Sequence, residues 1–598
     1  MTRRAGAFFP YAVFLLLTAV SWSRWIEPYV DTGRELMVPW RVAHGEALYR
    51  DVRFYYGPLA PYVGAAVDLF AGRSLAARIA LAALVALLHL EALRRLAGWL
   101  LPPMSAALVT SLVVAVSFFL RPGGCHLFPY SLDTSIAVAA LTGALLLASF
   151  GGKRGRDLGA GLCLLAALLA RPEIGLAGIG ALAVERLFGG DAAAKRRLAI
   201  LAVLPLAAAA AIYGAVSAGT PLAILQKEGW LTFLFLPPEF RSVYTSFAGM
   251  DRPALRAAEL ALALIALLAI GLWLLLAAVA SARARTRSAA GGRTIEVTAI
   301  LLLVLVAALR LRPPAALRET IALLPPLVRA VPSLLFAMAM LGLARRLLDR
   351  ARTRVVTGIP DSVLLVSLYF AARLFLAAGY VGPYNGFYLP LPLLVVTAVL
   401  LRGSERLADR LDVSPRPAAF SGLVVAALGV FLVARIGALA LLYRNPVWSR
   451  VSTPAGSLSV PEPVAGATRA ALADLAARVP AGGAIAGFPE IGFFNWTLGR
   501  RNPLAQDQFF PGHLDPAAEK DAIDRLRRDP PDAVMYVDVL TIGHGRAAFG
   551  KDYLQRLDTF VRQDFPIAAS YGPGAGPQAR IGDPNFFIEI RVPRAPPR

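Results

Sequence analysis

The stretch Tyr29–Trp40 reads YVDTGRELMVPW and directly follows the first hydrophobic run of the chain. It packs Asp31, Arg34 and Glu35 into five residues at what should be a membrane surface. Carboxylates suit proton transfer, and a guanidinium suits a phosphate or another anion. The plainer reading is an amphipathic linker. Thr32 with Glu35 three residues later fits a capping box. Leu36, Met37, Trp40 and Ala43 would form the apolar face of an interfacial helix, and Gly45 would stop it. Pro39 predicts distorted first turns. This gives Glu35 a structural job beside any catalytic one. Asp31 falls just before the cap, where its carboxylate stays free to point at the membrane surface.

The elements that position these charges must be membrane helices. The chain has 598 residues, is 57% hydrophobic and only 17% charged, with a mean hydropathy of +0.60. Long apolar runs recur from residue 8 to residue 443, the pattern of a polytopic membrane protein. The net charge of +22 does not point to nucleic acid, because the basic residues lie scattered in short loops between apolar runs. Two cysteines, Cys125 and Cys163, build neither a disulfide framework nor a cysteine zinc site. The N-terminal run lacks a convincing cleavage site and is read as a retained first helix.

Apolar runs fall near 8–25, 74–97, 103–120, 131–150, 157–170, 173–188, 197–217, 256–281, 294–311, 319–345, 360–379, 384–401 and 419–443. The pair at 157–188 is either one tilted helix or a hairpin folded at Ala170–Glu173. Basic flanks on both sides, GGKRGR and AAAKRR, favour the hairpin. About thirteen spans then place every basic loop on the cytoplasmic side. Asp31, the loop around 121–131, the loops 218–255 and 379–385, and everything after Tyr443 fall outside. The expected domains are a membrane domain over 1–443 with its first outer loop at 26–73, a linker over 444–466, and an outer domain over 467–598. In that last part, helix and strand patterns alternate, which predicts a small α/β domain. The NWT sequon at Asn495 reads as an accidental match.

Ionisable residues inside spans are costly and draw attention to function. Arg171, Arg373 and Arg435 lie in the outer halves of predicted helices, Arg310, Arg312, Arg318 and Glu319 at an outer end, and Arg329 about 15 Å deeper at 1.5 Å per residue. A lipid-linked anion would explain the group. Singly, each could snorkel to headgroups or pair with Glu173 or Glu319.

At Asp31 the sequence resembles a known family. D-x-x-R-E at 31–35, HGEALYRD at 44–51 and YYGPLAPY at 55–62 are similar to the polyprenyl-phosphate-dependent, multi-spanning glycosyltransferases of the GT-C class. These include the aminoarabinose transferases of lipid A and the protein O-mannosyltransferases. The resemblance is specific over Pro28–Tyr62 and looser, as span order and an outer C-terminal domain, over the rest. ARPEIGLAGIG at 170–180 and FFNWTLGRRNP at 493–503 also look like elements of bacterial members.

The resemblance implies a GT-C-like fold in a bacterial cytoplasmic membrane. It implies transfer of a sugar from a polyprenyl-phosphate donor to a glycolipid, glycan or protein acceptor of the envelope, among membrane lipids. It makes Asp31 the general base, Arg34 the group facing the leaving phosphate, and Asp133 in PYSLDTS the second acidic position. A first-turn acid or N-cap is the equal alternative for Asp133, and Glu35 stays open between cap and catalyst. The aminoarabinose transferases carry KPP where this chain has Tyr56–Gly57–Pro58. Without that lysine, donor-phosphate binding would rest on Arg34, Arg53, Tyr56 or Arg329. No cofactor is expected, His44 is read as a surface residue, and no metal is assigned, with room left for a divalent ion. The alternatives are a transporter or lipid flippase, whose charges would lie at mid-depth, and an envelope scaffold.

Overall fold

The computed structural model describes residues 3–120, 124–127, 131–149, 154–188, 197–235, 359–376, 384–410, 418–444, 448–539, 548–573 and 586–594, with scattered residues between 236 and 301. Arg310, Arg312, Arg318, Glu319 and Arg329 lie outside them, as do the predicted spans near 256–345 almost entirely.

The N-terminal part is a helical bundle. Its first elements are α1 (Arg3–Ser21), α2 (Thr32–Ala43), α3 (Leu59–Ala71), α4 (Leu75–Leu100) and α5 (Pro103–Val113), followed by the strand pair β1 (Phe119–Leu120) and β2 (Gly124–Cys125). Then come α6 (Leu132–Ser149), α7 (Arg154–Ala170), α8 (Pro172–Phe188), α9 (Leu204–Val216), α10 (Leu222–Glu228), α11 (Asp361–Leu376), α12 (Pro390–Arg410) and α13 (Ala418–Arg444). Three described stretches are long and apolar enough to cross a membrane by length and composition: Leu75–Leu100, Leu132–Ser149 and Ala199–Val216.

The ambiguous run at 157–188 is two helices that meet at Arg171. Pro172 opens α8, where its missing N–H costs nothing, and it disfavours helical backbone at the residue before it. The α7–α8 pair shares one apolar core with α4, α6, α11 and α12. At the far end from Arg171, Arg186 reaches the carbonyl of Ala148 and Arg197 pairs with Asp157. These are segments that charge asymmetry put on one side.

The segment expected as a linker is instead a β-hairpin, β3 (Trp448–Thr453) and β4 (Gly456–Pro461). Val451, Leu458 and Val460 point into the core while the intervening serines are more exposed. Such alternation suits a strand pair with one buried face. The hairpin is bolted to the bundle by Ser459 N–H to Ser23 O at 2.9 Å and Leu75 N–H to Ala455 O at 2.8 Å.

Beyond it lie α14 (Glu462–Arg478), β5 (Ile485–Phe488), α15 (Gly492–Leu498), α16 (Pro516–Arg528), β6 (Ala533–Val537), α17 (Gln555–Asp564), β7 (Ile567–Tyr571) and β8 (Ile588–Arg591). The sheet order is β5–β6–β8–β7, with β5 parallel to β6 and β8 antiparallel to both its neighbours. The stretches GAIAGF, DAVMYVD and NFFIEIRV form β5, β6 and β8, with α14 before them and α16 between, the alternation of helix and strand that the sequence predicts. One apolar cluster runs without a break from Phe14 and Leu17 of α1 through Leu36 and Met37 of α2 to Phe493, Trp496 and Ile590. The C-terminal domain and the bundle therefore share a core.

Candidate active site

The start of α2 is the centre of the site. Asp31 precedes the helix with φ 61° and ψ −35°, a left-handed conformation that few non-glycine residues adopt. The expected capping box is absent: no side chain of the helix caps its first amides. The cap comes instead from Glu490, in the loop after β5. Its fully buried carboxylate accepts the backbone N–H of Asp31 at 2.7 Å and that of Arg34 at 3.1 Å. Those two positions are where a helix N-terminus leaves unsatisfied donors. Glu490 and its neighbour Gln508 are site residues that sequence reasoning did not single out.

Gln508 ties the cluster together. Its Nε2 donates to Asp31 Oδ1 at 2.7 Å and to Glu490 Oε2 at 2.9 Å, and its Oε1 accepts from Arg34 Nη1 at 2.9 Å. Arg34 Nη1 lies 3.5 Å from Asp31 Oδ1 and Nη2 lies 2.9 Å from Glu35 Oε1. Arg34 is 6% exposed and Glu35 8%, while Asp31 keeps 21% of its side chain open. Asp31 is thus held rather than free, yet it is the most accessible charge of the three.

Glu35 spends its other oxygen on the N–H of Leu132, the first residue of α6, at 3.1 Å. It is a cap, but for a different helix. Asp133, in the first turn of α6, is fully buried. It accepts from Ser131 Oγ at 2.7 Å and pairs with Arg171 Nε at 2.5 Å. Arg171 also donates to Thr134 Oγ1 at 2.7 Å, and Glu173 lies 3.4 Å from it and 3.6 Å from Arg373. The outer arginines Arg171 and Arg373 thus do pair with Glu173. Arg435 donates to the carbonyl of Ala115 at 3.2 Å.

Tyr56 lies between two of these charges. Its ring carries two guanidiniums, Arg171 at 3.9 Å and Arg34 at 5.2 Å, and stacks on Phe233 at 5.4 Å. Gly57 abuts the tip of the α7–α8 hairpin so closely that any Cβ would run into the carbonyl of Leu169. Arg53 is engaged apart from this centre. It lies 3.4 Å from Glu228 of α10 and donates to the carbonyls of Tyr49 and Arg50 at 2.7 and 2.5 Å.

Burial dominates the electrostatics. It lifts the Asp31 carboxyl above its usual range, against the opposing pull of Arg34 and the Gln508 hydrogen bond. Glu35 is pushed up to about 7 by burial and by Asp133, with Arg34 opposing. Burial, followed by the adjacent Asp31, raises Glu490. Four carboxylates (Asp31, Glu35, Asp133, Glu490) thus face two guanidiniums, those of Arg34 and Arg171. Among the described residues no three His, Cys, Asp or Glu side chains gather to hold a metal ion. His44 is exposed, with Nδ1 2.8 Å from the carbonyl of Trp40. Asn495 is buried, its amide donating to the carbonyls of Ile485 and Arg501, so the sequon is a structural asparagine.

No family model and no curated protein matches the chain. Among solved structures, it is similar to the oligosaccharyltransferase of Archaeoglobus fulgidus in complex with Zn and sulfate, at 13% identity and a TM-score of 0.46, over 88% of this chain and 68% of that one. It is also similar to ArnT from Cupriavidus metallidurans bound to undecaprenyl phosphate, at 16% identity and a TM-score of 0.43 over 100% of both chains. The apo state of that ArnT aligns with a TM-score of 0.40 at 14% identity.

Proposed function

We propose that the protein is a membrane glycosyltransferase that moves a sugar from a polyprenyl-phosphate donor to an envelope acceptor at the extracytoplasmic face. The observation that carries this reading is the pairing at the start of α2: a partly open carboxylate, Asp31, 3.5 Å from a buried guanidinium, Arg34. In the proposed step an acceptor hydroxyl attacks the anomeric carbon, its proton passes to an Asp31 carboxylate oxygen, and the bond from that carbon to the lipid phosphate breaks. The phosphate leaves with the bonding electrons. A single displacement of this kind inverts the anomeric centre. Burial raises the Asp31 carboxyl, and its carboxylate form is then a stronger base than a free aspartate. Arg34, with Arg171 across the Tyr56 ring, supplies positive charge against the negative charge that builds on the leaving phosphate.

The position of the cluster along its helices supports an enzyme over a transporter. Asp133 sits in the first turn of α6, Arg171 at the break between α7 and α8, and Arg373 in the last turn of α11. All are helix ends, whereas a transporter's coupling charges lie near mid-span. The test is incubation of the purified protein with a panel of polyprenyl-phosphate sugars and envelope fractions, with mass analysis of the products. Wild-type protein should transfer one sugar, and Asp31→Asn should insert and melt normally while losing about 100-fold or more of the rate. Full activity of that variant would remove Asp31 as the base.

A further inference from the structure

The four residues Ala505–Gln508 form a strap across the first outer loop, and each makes its own bond to the bundle side. The Ala505 carbonyl accepts the N–H of Arg53 at 2.9 Å. Gln506 Nε2 donates to Glu228 Oε2 at 2.6 Å, Asp507 pairs with Arg41 at 3.3 Å, and Gln508 links Asp31 to Arg34. Glu490 approaches from the same domain and takes the two amides at the head of α2. We propose that Glu490 and Gln508, supplied by the C-terminal domain, are positioning residues that hold Asp31 and Arg34 in their working geometry, so that docking of this domain completes the site.

Asp31 is held at φ 61°, a strained backbone for a non-glycine residue, and such a conformation persists only where its surroundings over-determine it. Glu490 does so by fixing the N–H of Asp31, and Gln508 does so by fixing its carboxylate. The amide of Gln508 also bridges base and guanidinium, since one end donates to Asp31 and the other accepts from Arg34. Neither residue needs to touch substrate for this. The groups facing Asp31 are Arg34 and Glu35 on its own helix, Glu490 and Gln508 from the C-terminal domain, Asp133 on α6, and Tyr56. Of these, Gln508 is a neutral donor to the ionised carboxylate, so its loss should make Asp31 easier to protonate.

The inference rests on the glycosyltransferase reading for its consequences, and the test separates the two. Full-length wild type, Glu490→Ala and Gln508→Leu are compared in detergent by hydrogen exchange over residues 29–36 and by transfer kinetics across pH. Glu490→Ala should speed exchange of the Asp31 and Arg34 amides by about 10-fold or more, the loss of one well-made hydrogen bond to a charged group. It should lower kcat about 100-fold with the donor KM within about 3-fold, the signature of a geometry realised in the transition state. Gln508→Leu, which keeps the cap, should melt near wild type and move the acid limb of kcat/KM up by about one pH unit. Unchanged exchange in Glu490→Ala, or an unmoved acid limb in Gln508→Leu, overturns the positioning role. A wild type that transfers nothing from any donor overturns the proposed function instead, and the exchange data still decide whether Glu490 holds the head of α2.

Discussion

Gly33 and Gly492 meet backbone to backbone. A Cβ on Gly492 would lie 2.8 Å from the carbonyl carbon and oxygen of Gly33, and one on Gly33 would lie 2.7 Å from the amide nitrogen of Phe493. These are main-chain atoms of two helix N-termini, α2 and α15, and neither can swing aside. Gly492→Ala should therefore cost about 1–3 kcal/mol by overpacking. The measurement is a thermal melt together with protease sensitivity of the C-terminal domain in membranes. The variant should melt lower and its C-terminal domain should be cleaved faster.

Asp133 and Arg171 form a buried ion pair at 2.5 Å, with Asp133 fully buried and Arg171 3% exposed. Removing one partner strands the other charge. Arg171→Met alone should destabilise by about 3–5 kcal/mol, and adding Asp133→Leu should restore much of the loss. A double-mutant cycle read by thermal unfolding checks this. Additive losses would show that the two charges are stabilised separately.

Glu35 sets a pH signature. Its folded carboxyl is lifted to about 7 from an ordinary 4.5, so the folded state holds its proton longer than the unfolded one. The proton-linked stabilisation is present below pH 4.5 and is lost as pH rises towards 7. Glu35→Gln should flatten that decline by up to about 3 kcal/mol, at 1.36 kcal/mol per pH unit. Melting curves of both proteins between pH 4.5 and 8 provide the comparison.

Arg34 distinguishes shape from charge. Its guanidinium serves Gln508 through Nη1 and Glu35 through Nη2. A lysine supplies the charge but not the planar fork. Arg34→Lys should raise the donor KM about 10-fold or more in a transfer assay, and inorganic phosphate added to the buffer should not restore it. Equal kinetics for lysine and arginine would mean that only the charge matters.

Much of the frame was legible because it is written in local patterns. The hairpin at Arg171 followed from its basic flanks, and the C-terminal strands around Ile485, Val534 and Ile590 followed from the alternation of helix and strand patterns. The errors also have local causes. Thr32 and Glu35 have the spacing of a capping box, yet the fully buried carboxylate of Glu490 caps the helix through the amides of Asp31 and Arg34, and Glu35 turns to Leu132. The hairpin at 448–461 is rich in serine and proline and so reads as linker, although Val451, Leu458 and Val460 keep strand period. Glu490 and Gln508 carry no motif at all. Their relation to Asp31 spans 459 and 477 positions, and no periodicity reports a contact of that length.

That separation also sets a timetable. A chain made from its N-terminus at about 5–20 residues per second presents Asp31 some ~20–90 s before Glu490 exists. During that interval the head of α2 has no cap. A nascent protein therefore carries the parts of a site without its alignment, and readiness arrives only once the C-terminal domain has been made and has folded.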